Sequence, residues 1–211
     1  MSISEAQRSQ FQRDFNVSRE TIDRLEVLYT LLLKWNQRIN LVAKSTIDDA
    51  WQRHVVDSAQ IWQLANIQAQ RWLDIGSGAG FPGLIIAAIA AEKTPEMHVT
   101  LVESDQRKCV FMQTAAREMG ITVEIFAERI ESLRPQNADI ISARALAPLP
   151  NLLDFAEIHR NPNGICLFSK GANADSELTS TAASWHISVE KFPSMTDSQA
   201  VILRIGEINR V

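Results

Sequence analysis

The sequence predicts an α/β fold, with a seven-stranded, mainly parallel sheet, helices on both faces, an antiparallel last strand and a helical N-terminal extension. Three observations predict it. From Arg71 onward, short apolar runs rich in β-formers alternate with helical stretches, the pattern of consecutive βαβ units. The run Leu73-Asp74-Ile75-Gly76-Ser77-Gly78-Ala79-Gly80-Phe81-Pro82-Gly83 reads as a buried strand, a glycine loop and the start of a helix. No glycine or proline occurs before Gly76, which fits continuous helix better than strand. The expected boundary gives a helical extension over 1–69 and an α/β domain over 70–211.

Taken in order, Ser4 is placed to cap a short helix through Phe15. Ser18 caps a longer one, in which Ile22, Leu25, Leu28, Leu32, Trp35 and Ile39 recur at helical spacing. Thr46 with Asp49 three residues on looks like a variant capping box for a third helix to about Trp62, with Ile47, Trp51, Val55 and Ser58 on one face. Strands are expected at 71–75, 98–103, 121–126, 138–143, 164–169, 185–192 and 200–206, and helices at about 83–92, 105–118, 148–158 and 174–183. Gly120 is a natural helix stop. The last two strands are joined only by the loop Pro193 to Gln199, so the final strand should run antiparallel to the others.

The glycine loop carries the chemistry. Glycines at 76, 78, 80 and 83 let the backbone turn sharply and approach a ligand without Cβ clashes. Pro82 suits the first turn of the following helix. Gly78-x-Gly80-x-x-Gly83 matches the dinucleotide fingerprint, which on its own is weak. Asp74, at the strand end, would repel a pyrophosphate and suit the cationic amine of a methionine moiety. The glycines also begin early, at Gly76. These details favour S-adenosylmethionine over NAD. Glu103 ends the next apolar run and could accept from both ribose hydroxyls, a feature that NAD sites share. The terminal hairpin is characteristic of the Rossmann-like class I adenosylmethionine-dependent methyltransferase fold.

Bulk properties exclude several classes. The 211 residues, 45% hydrophobic and 22% charged, are ordinary for a soluble globular protein. No apolar run approaches the roughly 18 residues needed to span a bilayer, and Met1 to Phe15 is too polar for a secretion signal. Cys109 and Cys166 lie far apart and read as buried thiols in a reducing cytoplasm. The four histidines, 54, 98, 159 and 186, are scattered, so no metal site is expected. A net charge of −4 argues against a generally basic nucleic-acid binder. Residues 1–72 nonetheless hold nine Lys/Arg against eight Asp/Glu. A local RNA-contacting patch at Lys34, Arg38, Lys44 and Arg53 is weighed against an ordinary solvated helix face.

Several further motifs coincide. They are Trp35-Asn36 and Asn40-Leu41, His54-Val55-Val56-Asp57-Ser58, the loop 73–83, Glu103-Ser104 followed by Arg107-Lys108, Ser142-Ala143-Arg144-Ala145 with Ala147-Pro148-Leu149, and Lys170-Gly171. In this order and spacing the chain closely resembles the bacterial ribosomal small-subunit methyltransferase G family (RsmG, or GidB), from about residue 30 to 171. Ser77 stands where the family usually has Thr. The resemblance implies methyl transfer from S-adenosylmethionine to N7 of a guanine in the 530-loop region of 16S rRNA. It also implies that Gly76 and Phe81 line the cofactor site, that Ile130 and Glu131 hold the adenine, and that Arg144 contacts the cofactor.

Arg144 ends the fourth strand at the rim where open α/β sheets bind ligands. It is the expected catalytic residue, orienting the cofactor carboxylate or donating to guanine O6; a surface ion pair is the alternative. His54 and Asp57, one helical turn apart, are expected at the RNA or interdomain face without a proton-transfer role. Asn40 is expected to act structurally at a helix end. Lys170 is a candidate phosphate contact, with a solvated lysine as the alternative. Trp35 and Trp51 are expected in packing. The partner is expected to be 16S rRNA or the small ribosomal subunit, and the protein a cytoplasmic monomer. Two rivals stay open: a non-catalytic ribosome-assembly factor that keeps the cofactor fold, and a methyltransferase for a non-RNA substrate.

Overall fold

The computed structural model describes residues 3–66 and 68–211; Met1, Ser2 and Ile67, which fall in the expected extension 1–69, lie outside the described residues. The extension opens with α1 (Glu5–Phe15), closed at its start by a reciprocal capping box. Gln7 N donates to Ser4 Oγ at 3.2 Å and Ser4 N donates to Gln7 Oε1 at 2.9 Å. Helix α2 (Arg19–Trp35) follows, capped by Ser18. Its expected stripe Ile22, Leu25, Leu28 and Leu32 is fully buried, each side chain contributing about 1.5–3 kcal/mol. The helix ends before Ile39. Asn36 closes it, its Oδ1 accepting from Leu41 N and Val42 N at 2.8 and 2.9 Å. The structural role expected of Asn40 therefore belongs to Asn36.

The third helix is not one α-helix. A 3₁₀ turn at Lys44–Thr46 is followed by a π-helical segment Trp51–Val56, the α-helical turn α3 (Asp57–Ala59) and a 3₁₀ turn Gln60–Leu64. The Thr46–Asp49 capping box does not form. Thr46 Oγ1 instead donates to Ala43 O at 2.7 Å and meets His54 Nε2 at 2.8 Å. Trp51 packs against Phe11 and Tyr29, and Trp35 against Phe111, at centroid distances of 5.5, 5.9 and 5.6 Å.

Seven strands form one sheet in the order β3-β2-β1-β4-β5-β7-β6. They are β1 (Arg71–Ile75), β2 (His98–Val102), β3 (Glu124–Phe126), β4 (Ala138–Arg144), β5 (Arg160–Lys170), β6 (Trp185–Pro193) and β7 (Val201–Arg210). The first five are parallel, and β7 pairs antiparallel with both β5 and β6, as expected of the terminal hairpin. The intervening helices are α4 (Gly83–Lys93), α5 (Gln106–Met119), α6 (Leu149–His159) and α7 (Ala174–Thr181). Pro82 is the residue before α4 rather than part of its first turn.

Alternation along β1 sends Leu73 and Ile75 toward the core under α6, and Trp72 toward the core shared with the extension. Helix α4 is buried from Gly83 through Ala90 on every side, because the sheet covers one face and α2 with its neighbours covers the other. An all-apolar helix of this kind needs two partners. Glu92 joins the layers at the far end of α4, accepting from Ser18 N at 2.8 Å and Thr21 Oγ1 at 2.6 Å. Burial opposes its ionisation, yet these bonds hold its carboxyl down at about 2. Cys109 and Cys166 are both free and buried. No helix among the described residues is long and apolar enough to cross a membrane.

Candidate active site

The C-terminal ends of β1, β2, β4 and β5 meet at one rim. Between β1 and α4, Gly76, Gly78 and Gly80 have φ of 64°, 59° and 85°, a region that side-chain-bearing residues rarely adopt. Gly83 has an ordinary φ but no room: a Cβ there would lie 2.8 Å from Leu101 and 2.9 Å from Asp74 Oδ2.

Asp74, expected to face a cofactor amine, is 0% exposed. Its Oδ1 accepts from Ser142 Oγ at 2.7 Å and its Oδ2 from Gly83 N at 3.0 Å. Ser142 Oγ in turn accepts from Trp72 Nε1 at 2.9 Å. This buried relay ties β1, β4 and the start of α4 together. Burial pushes the Asp74 carboxyl up to about 6, against the hydrogen bonds that favour its charge. Asp74 thus shapes the glycine loop from beneath, through bonds within the chain.

Beside the loop lies a cleft of about 240 Å³ lined by Gly76, Val102, Glu103, Ile130, Glu131 and Leu146, among others. The Glu103 carboxylate accepts from Gly78 N at 2.9 Å and Asp105 N at 2.8 Å. A carboxylate offers about four acceptor sites, which leaves capacity for a ribose diol. Ile130 supplies an apolar wall, and its carbonyl is held by His159 Nε2 at 3.2 Å. Apolar walls, a strand-tip carboxylate and bare backbone at Gly76 together fit an adenosine group. Gly76, Gly78, Glu103, Ile130 and Glu131 are therefore brought together as expected.

Phe81 is not part of that cleft. It is 3% exposed, with the His54 ring stacked at 5.4 Å and the Arg144 guanidinium 5.3 Å from its centroid. It packs behind His54 and Arg144, two residues of the wall of a second cleft. There Arg144 Nη1 donates to Arg53 O at 3.1 Å and to Asp57 Oδ2 at 3.3 Å, and Nη2 contacts His54 Nδ1 at 3.0 Å. Arginine is only a donor, so Nδ1 must accept and His54 is the neutral Nε2–H tautomer, donating to Thr46. Burial, then the charges of Arg144 and Arg53, hold His54 down at about 3. His54 is 7% exposed and sits at the interface between extension and sheet, beside the second cleft.

The second cleft, about 390 Å³, is lined by Arg53, His54, Asp57, Arg144, Lys170 and Asp197, among others. Lys170, expected to reach a phosphate, has a side chain only 9% exposed. Its ammonium bonds Glu177 Oε2 at 2.6 Å and Ala147 O at 2.9 Å. Glu177 also accepts from Leu149 N at 2.6 Å, so Lys170 secures the segment after β4. Arg53 pairs with Asp197 at 3.2 Å. Lys34, Arg38 and Lys44 are exposed. Trp35 on Phe111 brings the end of α2 beside the first half of α5; neither Lys34 nor Arg38 lines either cleft. Residues 144–147 separate the two clefts: Arg144 and Ala145 line one, Leu146 and Ala147 the other.

The sequence reading missed Ser142 as the partner of Asp74, and the residues Gln60, Ser194 and Thr196 that engage Asp57. Ser142 carried a signal, since it precedes Arg144 in a quoted motif. The loop residues carried none.

A profile of the family described as rRNA small subunit methyltransferase G matches residues 21–203. The ribosomal RNA small subunit methyltransferase G of Cereibacter sphaeroides (strain ATCC 17029) is 50% identical over 196 residues, covering 93% of this chain and 95% of its own. That of Ruegeria sp. (strain TM1040) is 48% identical over 198 residues, covering 94% and 96%. Among solved structures, a SAM dependent methyltransferase from Aquifex aeolicus matches with a TM-score of 0.57 at 12% identity, over 76% of this chain and 96% of that one. The last likeness bears on the fold alone.

Proposed function

The chain belongs to the rRNA small subunit methyltransferase G family, and from that premise we propose that it methylates N7 of a guanine in the 530-loop region of 16S rRNA, using S-adenosylmethionine. The observation that carries this reading is the pair of clefts on one rim, one suited to adenosine and one walled by Arg144, divided only by residues 144–147.

S-adenosylmethionine supplies an electrophilic methyl on a sulfonium; guanine N7 supplies the electron pair, the sulfur keeps the pair of the broken bond, and the positive charge passes to the base. N7 carries no proton at neutral pH, so no general base is required. The chain's task is alignment, and orientation of this kind can supply about 7–11 kcal/mol. Gly76 and Gly78 allow close backbone approach, Glu103 holds the ribose, and Ile130 with Glu131 borders the adenine. Asp74 and Phe81 act indirectly, the first through the loop and the second beneath Arg144. A guanidinium has five donors; three contacts of Arg144 are taken within the chain. Nε and part of Nη2 remain to orient guanine O6 or the cofactor carboxylate.

In this reading the extension 1–69 covers the methyltransferase unit 70–211 and presents Lys34, Arg38, Lys44 and Arg53 to phosphates. The enzyme works as a cytoplasmic monomer, without a metal, on 16S rRNA or the small subunit. The test is incubation with methyl-labelled S-adenosylmethionine and unmethylated small-subunit RNA, offered free and as ribosomal particles. Labelled 7-methylguanosine at one position in the 530 loop is the expected product. Label on another base would overturn the site assignment. Cofactor binding with no label on any RNA would point to a non-catalytic assembly factor.

A further inference from the structure

We infer that Asp57 is the positioning residue for Arg144, and that the loop between β6 and β7 completes this support from the opposite side of the cleft. The inference rests on the proposed methyl transfer and concerns how its central arginine is aimed. The Arg144 backbone is fixed in the β4 ladder opposite Ser169. Its guanidinium sits at the end of a long, flexible stem with many rotamers, so the side chain needs its own fastening.

That fastening comes from one short stretch of the extension. Arg53 O, His54 Nδ1 and Asp57 Oδ2 take the guanidinium at 3.1, 3.0 and 3.3 Å, with Phe81 beneath. His54 is neutral, and Asp57 is the only carboxylate within salt-bridge distance of Arg144 among the described residues. The other oxygen, Asp57 Oδ1, accepts from Thr196 Oγ1 at 2.7 Å, Gln60 Nε2 at 2.9 Å and Ser194 Oγ at 3.4 Å. Arg53 with Asp197 and Gln60 with Met195 N secure the same loop at 3.2 and 2.7 Å. Asp57 Oδ1 is thus taken up by the loop and by Gln60, while Oδ2, at the lining of the cleft, meets Arg144. It acts through Arg144, and the extension becomes part of the active site.

The test is single-turnover methyl transfer to small-subunit RNA with enzyme in excess, comparing wild type, Asp57→Ala, Arg144→Lys and the double variant, with S-adenosylmethionine binding measured by calorimetry. Asp57→Ala should slow transfer about 100-fold, the scale of a misplacement near 1 Å, while cofactor binding persists. The double variant should be no slower than the slower single variant, because two residues acting as a unit do not add. A wild-type rate in Asp57→Ala, or losses that multiply, overturns the inference. If Asp57→Ala fails to bind cofactor, Thr196→Val and Ser194→Ala carry the test: slower transfer with binding intact supports it, and unchanged rates overturn it. Absence of transfer by the wild type would instead sink the proposed function.

Discussion

Arg144 and His54 illustrate how single residues take their chemistry from their surroundings. Arg144 is largely buried, which lowers its pKa, and Asp57 offsets only part of that effect. Arg144→Ala is expected to lower methyl transfer by at least about 100-fold while the far-ultraviolet circular dichroism stays unchanged; wild-type turnover would remove it from the site. His54 and Asp74 predict opposite pH effects. His54 is held at about 3, below its ordinary 6.5, so between these values the unfolded chain binds a proton that the folded chain refuses. Its contribution to stability is therefore lost as pH falls. Asp74 is raised from 3.8 to about 6, so the folded chain binds the extra proton and stability is lost as pH rises through that window. Urea midpoints measured from pH 3 to 7 should show the wild type gaining on His54→Gln as pH rises and losing on Asp74→Asn. Parallel curves would show that neither group is held as described.

At the scale of elements, the strand–loop–helix of β1 and α4 is over-determined. Three glycines adopt positive φ, and a fourth is excluded from bearing a side chain by contact with Leu101 and Asp74. Gly83→Ala should destabilise the protein by about 1–3 kcal/mol, as overpacking does, and weaken S-adenosylmethionine binding because the Asp74–Gly83 bond would be displaced. Thermal unfolding and calorimetry on the same variant check both parts. Unchanged cofactor affinity would separate Gly83 from the loop's function. The π-helical and 3₁₀ turns over 51–64 are equally specific. They bring Arg53, His54 and Asp57 to the same guanidinium, and mixed helical geometry of this sort is frequent where function requires an unusual side-chain projection.

Across the whole molecule, the extension and the α/β unit share one hydrophobic core. Ile22, Leu25, Leu84, Ile86, Leu101 and Phe111 belong to a single buried cluster. Truncating the extension would expose the outer face of α4, so the two parts are expected to unfold together. The acidic whole must still meet RNA, and Lys34, Arg38 and Lys44 are exposed with no ion-pair partner among the described residues. If they touch phosphates, changing all three to Gln should flatten the dependence of log K on log salt by about 2, at roughly 0.7 per phosphate of a single strand. A slope equal to that of the wild type would take this patch out of the interface.

The seven strands, the flanking helices and the antiparallel finish were legible because hydrophobic period and turn residues are local properties of the chain. Ser4, Ser18 and Gly120 marked helix ends for the same reason; Glu103 could be placed from its position at a strand tip, whereas Gly76 and Ile130 were placed through the family resemblance. Elsewhere the outcome depended on contacts distant in sequence. Asp74 turned inward because Ser142, 68 residues away, offered a buried hydroxyl. Lys170 was withdrawn from solvent by Glu177 and the carbonyl of Ala147. Asp57 gained its partners only when Arg144 and Thr196, 87 and 139 residues away, closed on its two oxygens. Periodicity reports which face of an element is buried; which polar group meets which inside that burial is decided by the packing of whole elements, and that is settled only when the chain has folded.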